Sequence, residues 1–198
     1  MTPSPADTAA MHSAKVPHRC ILADPPWMER GGGKIKRGAD RHYPLMKKPD
    51  ILRTMLQSGA WRPDPEGCTL FLWVTNSHLP SGLWLMEALG FRYVTNVCWL
   101  KKGNPGLGQW FRGRHELLLF GTSGRGPATH CRTDDRTLPG ALYLPRPGKH
   151  SKKPPAYYKL IERRTKGPRL EMFARNSRPG WDAWGNEALV TTGALKKS

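Results

Sequence analysis

Acidic residues are scarce in this chain: 15 Asp and Glu stand against 32 Lys and Arg over 198 residues, a formal net charge of +17. A field of that size favours polyanions, nucleic acid first and an anionic membrane surface second. Cysteine is sparse as well. Cys20, Cys68, Cys98 and Cys131 are far apart and form no CxxC pair, which argues against both a disulfide framework and a zinc site. Three of the four lie in apolar or strand-like stretches, where a free thiol packs as a small hydrophobe. The fourth adjoins His130, a pair that without a second one reads as a surface loop, so no metal site is expected. Long apolar runs are missing, so no segment suits a bilayer span. The first 17 residues are rich in Pro, Ala, Ser and Thr without an apolar core, which excludes a secretory signal and points to an intracellular, cytoplasmic protein. No internal repeat is present.

What the chain does contain is the length of one domain with a substantial core. Frayed ends are expected over 1–17 and 191–198, with one domain over 18–190. Arg19 to Ala23 reads as a strand, and Thr69 to Thr75 is a continuous apolar run of the kind found in strands covered on both faces. Helical spacing over Pro49 to Gly59 has Pro at its start and Gly at its end. Further elements are a helix over Leu79 to Leu89, a strand over Phe91 to Leu100, and short strands at His115 to Phe120 and Ala141 to Leu144. A helix over Pro154 to Thr165 and a last strand over Arg169 to Phe173 complete the pattern. Alternating strands and helices imply an α/β fold, an αβα sandwich around a mostly parallel sheet.

Two loops are rich in glycine and positive charge. One carries Lys34, Lys36, Arg37 and Arg41; the other carries Lys101, Lys102, Arg112 and Arg114. These eight residues are the expected phosphate contacts, giving an affinity that falls steeply with salt.

The most informative segment is Asp24-Pro25-Pro26-Trp27, which closes the apolar run Cys20-Ile21-Leu22-Ala23. Proline cannot donate to a sheet ladder and biases the preceding residue away from helix, so the strand stops abruptly. The stop leaves an acid, a ring and rigid carbonyls at the carboxyl end of a strand, where open α/β sheets bind ligands. Such a set suits a planar amine: the acid and a carbonyl accept its hydrogens while the ring covers its face. By itself the tetrapeptide reads slightly more readily as an ordinary turn.

Other segments occur with it in a fixed order: His42-Tyr43-Pro44-Leu45-Met46, Gly113-Arg114-His115-Glu116, His150-Ser151-Lys152-Lys153-Pro154, Leu170-Glu171-Met172-Phe173-Ala174-Arg175, Gly180-Trp181-Asp182 and Trp184-Gly185-Asn186-Glu187. Together they resemble the adenine N(6)-methyltransferase family that includes the catalytic subunit of the eukaryotic messenger-RNA methyltransferase and small bacterial and phage DNA enzymes. The resemblance implies a Rossmann-like, permuted (β-type) S-adenosylmethionine-dependent methyltransferase, with the catalytic tetrapeptide ahead of the cofactor-binding strand. It also implies methyl transfer to the 6-amino nitrogen of adenine, in a bacterial or phage-infected cell.

On that resemblance Asp24, Pro25, Pro26 and Trp27 carry the catalytic role, and Tyr43 walls the base pocket. Trp27 has core packing as its alternative at even weight. Lys153 pairs with the cofactor's carboxylate, unless it is a solvated charge. Glu171, Arg175 and Asn186 contact the cofactor's amino-acid, ribose and adenine parts. Glu171 as a helix-facing strand residue is the weaker alternative, and Arg175 as a surface charge a fair one. Glu116 holds Arg112 or Arg114 in place. Larger family members carry an acidic adenine contact upstream of the tetrapeptide, where this chain has only its leader; backbone groups near Ile21 are the expected substitute. DNA is the preferred polymer, bound by a monomer or homodimer. RNA adenine, the cytosine 4-amino group, or a non-catalytic nucleic-acid-binding subunit of the same fold are the competing readings.

Overall fold

The computed structural model describes residues 16–28, 45–105, 110–125, 131, 137–148 and 152–185. In chain order the elements are β1 (Cys20–Ala23), α1 (Lys48–Gln57), β2 (Gly67–Thr75), α2 (Leu79–Ala88), β3 (Arg92–Lys101), β4 (His115–Gly124), β5 (Ala141–Leu144), α3 (Ala156–Arg164), β6 (Arg169–Met172) and β7 (Asp182–Trp184). Tyr43, Asn186 and the first basic loop with Lys34, Lys36, Arg37 and Arg41 lie outside the described residues.

The seven strands form one sheet in the order β5-β3-β4-β2-β1-β6-β7. Four of the six pairings are parallel; β4 runs antiparallel to both its neighbours, β2 and β3. The sheet is therefore mostly parallel, as the alternation implied. Strand β1 sits between β2 and β6, and all four of its residues are buried. A short central strand covered on both faces needs the unbroken apolar run that this sequence supplies.

Odd and even positions of β1 feed two separate cores. Ile21 and Ala23 pack with Ile51 and Met55 of α1 and with Leu85 and Met86 of α2. Cys20 and Leu22 pack on the other face with Phe71, Trp73, Leu118, and Tyr157 and Ile161 of α3. Helices thus cover both faces of the sheet. Helix α2 lies so close to β2 that a Cβ on Gly82 would stand 2.5 Å from the Val74 side chain. Helix α1 ends where the Ser58 hydroxyl donates to the Met55 carbonyl at 2.7 Å, and Gly59 follows at φ 69°, a left-handed turn that favours glycine.

Three sequence expectations change. Strand β4 runs to Gly124 rather than Phe120, because β2 ladders with it as far as Gly124 and β3 as far as Thr122. The Trp-rich tail contains β7, whose three residues are too few to show alternation. Cys131 is buried and bridged to Thr165, not placed in a surface loop. No helix among the described residues is long and apolar enough to cross a membrane.

Candidate active site

The sheet switches direction at β1: β2 to β5 lie on one side of it, and β6 and β7, reached from β5, on the other. Such a switch point, at the carboxyl ends of β1 and β6, is where open α/β sheets bind ligands. Asp24 is the first residue past β1. At the end of β6, Phe173 adopts φ 62°, and the chain turns away from the sheet. A Cβ on Gly185 would lie 2.3 Å from the Ala174 carbonyl oxygen, so only glycine lets the end of β7 close against this turn.

Asp24 continues the alternation of Cys20 and Leu22, which puts its carboxylate on the α3 side of the sheet. There Lys153, just before α3, donates to both Asp24 oxygens at 2.8 Å. The same ammonium stands 3.5 Å from Glu116 Oε2, and the other Glu116 oxygen accepts from Lys101. Asp24, Lys153, Glu116 and Lys101 therefore form a chain of alternating charge from four separate parts of the sequence. Lys153 and Glu116 are 10% and 14% exposed at the side chain, against 28% for Asp24, so the acid at the strand end is the most open of the three.

Burial pushes the Asp24 carboxyl above its ordinary range, against the pull of the Lys153 ammonium. Burial opposes the charged form of Glu116 as well, but Lys153 and Lys101 outweigh it and hold that carboxyl below the usual range. For Lys153 burial works against protonation, and the two carboxylates prevail, so the ammonium is held above its usual range. Glu116 is then the permanent anion that keeps Lys153 charged beside Asp24.

The rest of the tetrapeptide is fixed by its backbone and by one ring. Trp27 N–H donates to the Pro25 carbonyl at 2.9 Å, and Met46 N–H donates to the Pro26 carbonyl at 2.8 Å. Each of the two carbonyls thus has one backbone donor and keeps a second lone pair. Trp27 is buried. Its Nε1 donates to the Trp73 carbonyl at 2.9 Å, and its ring stacks on His78 at 5.6 Å between centroids. His78 Nε2 faces the Met28 carbonyl at 3.0 Å and Nδ1 faces the Thr75 hydroxyl at 2.8 Å. A carbonyl can only accept, so Nε2 carries a proton and donates to Met28. His78 therefore clamps the turn from behind.

These contacts correct several sequence expectations. Trp27 is buried in the core with one ring face on His78, the core-packing alternative, and it positions the turn. Replacing it with Phe is expected to lower stability by about 2 kcal/mol, since the buried Trp73 carbonyl loses its donor. Urea unfolding checks this, and an unchanged midpoint would remove the role. Ile21 is fully buried in mid-strand and laddered to Leu70 and Leu170, so its backbone has nothing to offer a cofactor. Lys153 turns to Asp24 and Glu116 rather than standing as a solvated charge. Glu116 holds Lys101 and Lys153, not Arg112 or Arg114. Lys101 is committed to Glu116, which withdraws it from the phosphate contacts. Lys102 and Arg112 are exposed, as that role requires, and Lys102 lies 5.1 Å over the Tyr143 ring.

Glu171 faces α3, the less favoured alternative: its Oε1 accepts from the Tyr158 hydroxyl at 2.7 Å. Burial raises the Glu171 carboxyl above its ordinary range, and Tyr158 and Arg178 oppose that shift. Arg178 lies 3.6 Å over the Tyr158 ring, and its Nε is buried without a partner among the described residues. Arg175 is close enough to Asp24 for its charge to favour the ionised acid. Two cations, Arg175 and Arg178, and the Glu171 carboxylate therefore lie near Asp24 at the end of β6. Among the described residues no cluster of His, Cys, Asp or Glu could hold a metal.

A permuted α/β sheet with an acid-Pro-Pro-aromatic turn beside its switch point defines an S-adenosylmethionine-dependent methyltransferase. Residues 18–187 match the MT-A70 family, and the chain belongs to that family. It is similar to the type II methyltransferase M.MunI of a Mycoplasma species, 28% identical over 205 residues that cover 93% of this chain and 83% of that enzyme. It is also similar to the mouse N(6)-adenine-specific methyltransferase METTL4, 30% identical over 85% of this chain and 37% of that protein. A third relative is the N6-methyladenosine RNA methyltransferase MTA1 of Cryphonectria parasitica, 30% identical over 85% of this chain and 51% of that protein. The chain thus spans most of the Mycoplasma enzyme but well under two thirds of the two eukaryotic relatives.

Proposed function

We propose that this protein methylates the 6-amino nitrogen of adenine in DNA. The observation that carries the reading is the Asp24 carboxylate, held by Lys153 at the carboxyl end of β1 beside the Pro25 carbonyl. A carboxylate has about four lone-pair sites. Lys153 takes two of them and leaves the others for an amine hydrogen, and the second hydrogen goes to Pro25. Adenine's amino lone pair is delocalised into its ring, so the free amine is a poor nucleophile. Holding both hydrogens in acceptors localises that pair on nitrogen. The same bonds strengthen as nitrogen gains positive charge, so they stabilise the transition state more than the bound substrate. Asp24 is also the first base available for the proton that the substituted nitrogen must release.

S-adenosylmethionine, when bound, supplies an electrophilic methyl group on a sulfonium. Arg175 and Glu171, at the end of β6, are the residues that would hold it, with Lys153 sharing its charge between Asp24 and the cofactor's carboxylate. Orientation is the remaining contribution of this chain: the Trp27–His78 stack and the Met46 bond keep the turn rigid. The +17 charge supports a nucleic-acid substrate.

The test is incubation with methyl-labelled cofactor and separate DNA and RNA pools, then nucleoside analysis. Label in N(6)-methyladenine from DNA is the expected result. Label confined to RNA, or to cytosine, would move the assignment to that substrate, and none in either pool would remove it.

The pH profile follows from the charges. Asp24 must be ionised to accept a hydrogen, and burial raises its pKa. The rate should therefore fall as pH drops through a value above the ordinary carboxylate range, with Glu116 still ionised there. Single-turnover rates against pH check this; a flat profile down to about pH 4 would contradict it.

A further inference from the structure

Between β3 and β4, two consecutive rings stand almost wholly in water. Trp110 and Phe111 are each 91% exposed, more than any other exposed large apolar side chain described, and neither belongs to the two cores. Single exposed apolar residues are common on protein surfaces. Two adjacent rings at this exposure leave a large apolar area uncovered, which marks a contact surface. Their place is set by the hairpin: Leu100 pairs with His115, and Lys101 N–H donates to the Arg114 carbonyl at 2.7 Å. The next residue, Glu116, belongs to the Asp24–Lys153 charge chain. Trp110 lies six positions before Glu116, a reach of no more than about 22 Å. The rings therefore project from the same sheet edge as the catalytic turn.

We infer that Trp110 and Phe111 form a stacking platform for unpaired nucleobases flanking the target adenine. Chemistry on the amine requires the base to leave its stack, which exposes the faces of its neighbours. Aromatic side chains cover such faces without regard to sequence. The setting fits a polyanion: Arg112 follows the rings directly and is exposed, and Lys102 is exposed on the other arm of the hairpin. It disfavours a second copy of this chain, which would bring an equal positive charge against it. Nothing in the methyl-transfer chemistry uses the rings; they act on how the strand is held.

This inference rests on the nucleic-acid reading, so the test measures methyl transfer and binding separately. The full chain is titrated with a single-stranded adenine-containing oligonucleotide at several salt concentrations, using wild type, W110F, R112Q and the double variant W110A/F111A. Wild type should show quenched tryptophan fluorescence on binding, since Trp110 is its most exposed indole. The double variant should bind roughly ten-fold more weakly with an unchanged salt slope. R112Q should lower the slope by about one, and W110F should keep most of the affinity. Equal binding by the double variant, while wild type binds and methylates, overturns the platform alone. Wild type that neither binds nor methylates overturns the functional reading. A double variant that changes the protein's sedimentation from dimer to monomer assigns the rings to self-association and overturns the platform too.

Discussion

Asn in place of Asp24 should reduce methyl transfer by about a thousand-fold, the scale seen when one preorganised electrostatic contact to a developing charge is lost. Asn keeps the shape of the side chain and one carbonyl oxygen. It lacks the negative charge that must grow in value as the amine nitrogen becomes cationic. It also turns an amide N–H₂ toward either Lys153 or the substrate, both of which need an acceptor. Cofactor affinity should change little, because Arg175 and Glu171 are untouched. Asn is a cleaner test than Ala, which would also leave the Lys153 ammonium beside a void. Single-turnover methylation and calorimetric cofactor binding separate the two effects. A variant within about ten-fold of the wild-type rate would show that charge at Asp24 is not what drives the step.

The tetrapeptide was legible because its chemistry and its local structure coincide. The same prolines that stop β1 also leave an acid at the strand end. The two covered faces of β1 were legible for a similar reason, since a run of apolar residues has few other uses. What failed were partners chosen by nearness in sequence. Glu116 lies two and four residues from Arg114 and Arg112, yet its charge goes to Lys101 and Lys153. The antiparallel course of β4 decides this: it starts at the edge where β1, β2 and β3 end, so Glu116 meets Asp24's side of the sheet. No periodicity announces that reversal. Trp27 misled in another way. An aromatic beside an acid at a strand end suggests a stacking surface, but its indole N–H needs an acceptor, and the Trp73 carbonyl supplies one inside the core. His78 carried no signal in advance, because its role depends on Met28 and Thr75 meeting around one imidazole.

Lys153 is the second position where one substitution should have a large effect, and the direction can be worked out from charge alone. In K153M the ammonium between Asp24 and Glu116 is gone, and two carboxylates that shared one cation face each other. Each now disfavours the other's ionisation, so the Asp24 pKa, already raised by burial, rises further. At neutral pH the ionised fraction of Asp24 falls, and the rate should drop by about a hundred-fold. Raising the pH should restore part of that loss, because the acid limb moves upward and does not disappear. Stability should fall as well, by several kcal/mol, since a largely buried ion network loses its central member. Thermal unfolding under the assay conditions keeps that effect apart from the rate. The decisive comparison adds E116Q, which removes the like charge facing Asp24. Alone, E116Q should cost less than K153M, because Lys153 still holds Asp24 at both oxygens. Combined with K153M, it should bring the acid limb back down and recover part of the neutral-pH rate. The two substitutions are in contact, so their effects should be far from additive. Strict additivity, or a K153M limb at the wild-type pH, would mean that Lys153 does not set the charge on Asp24.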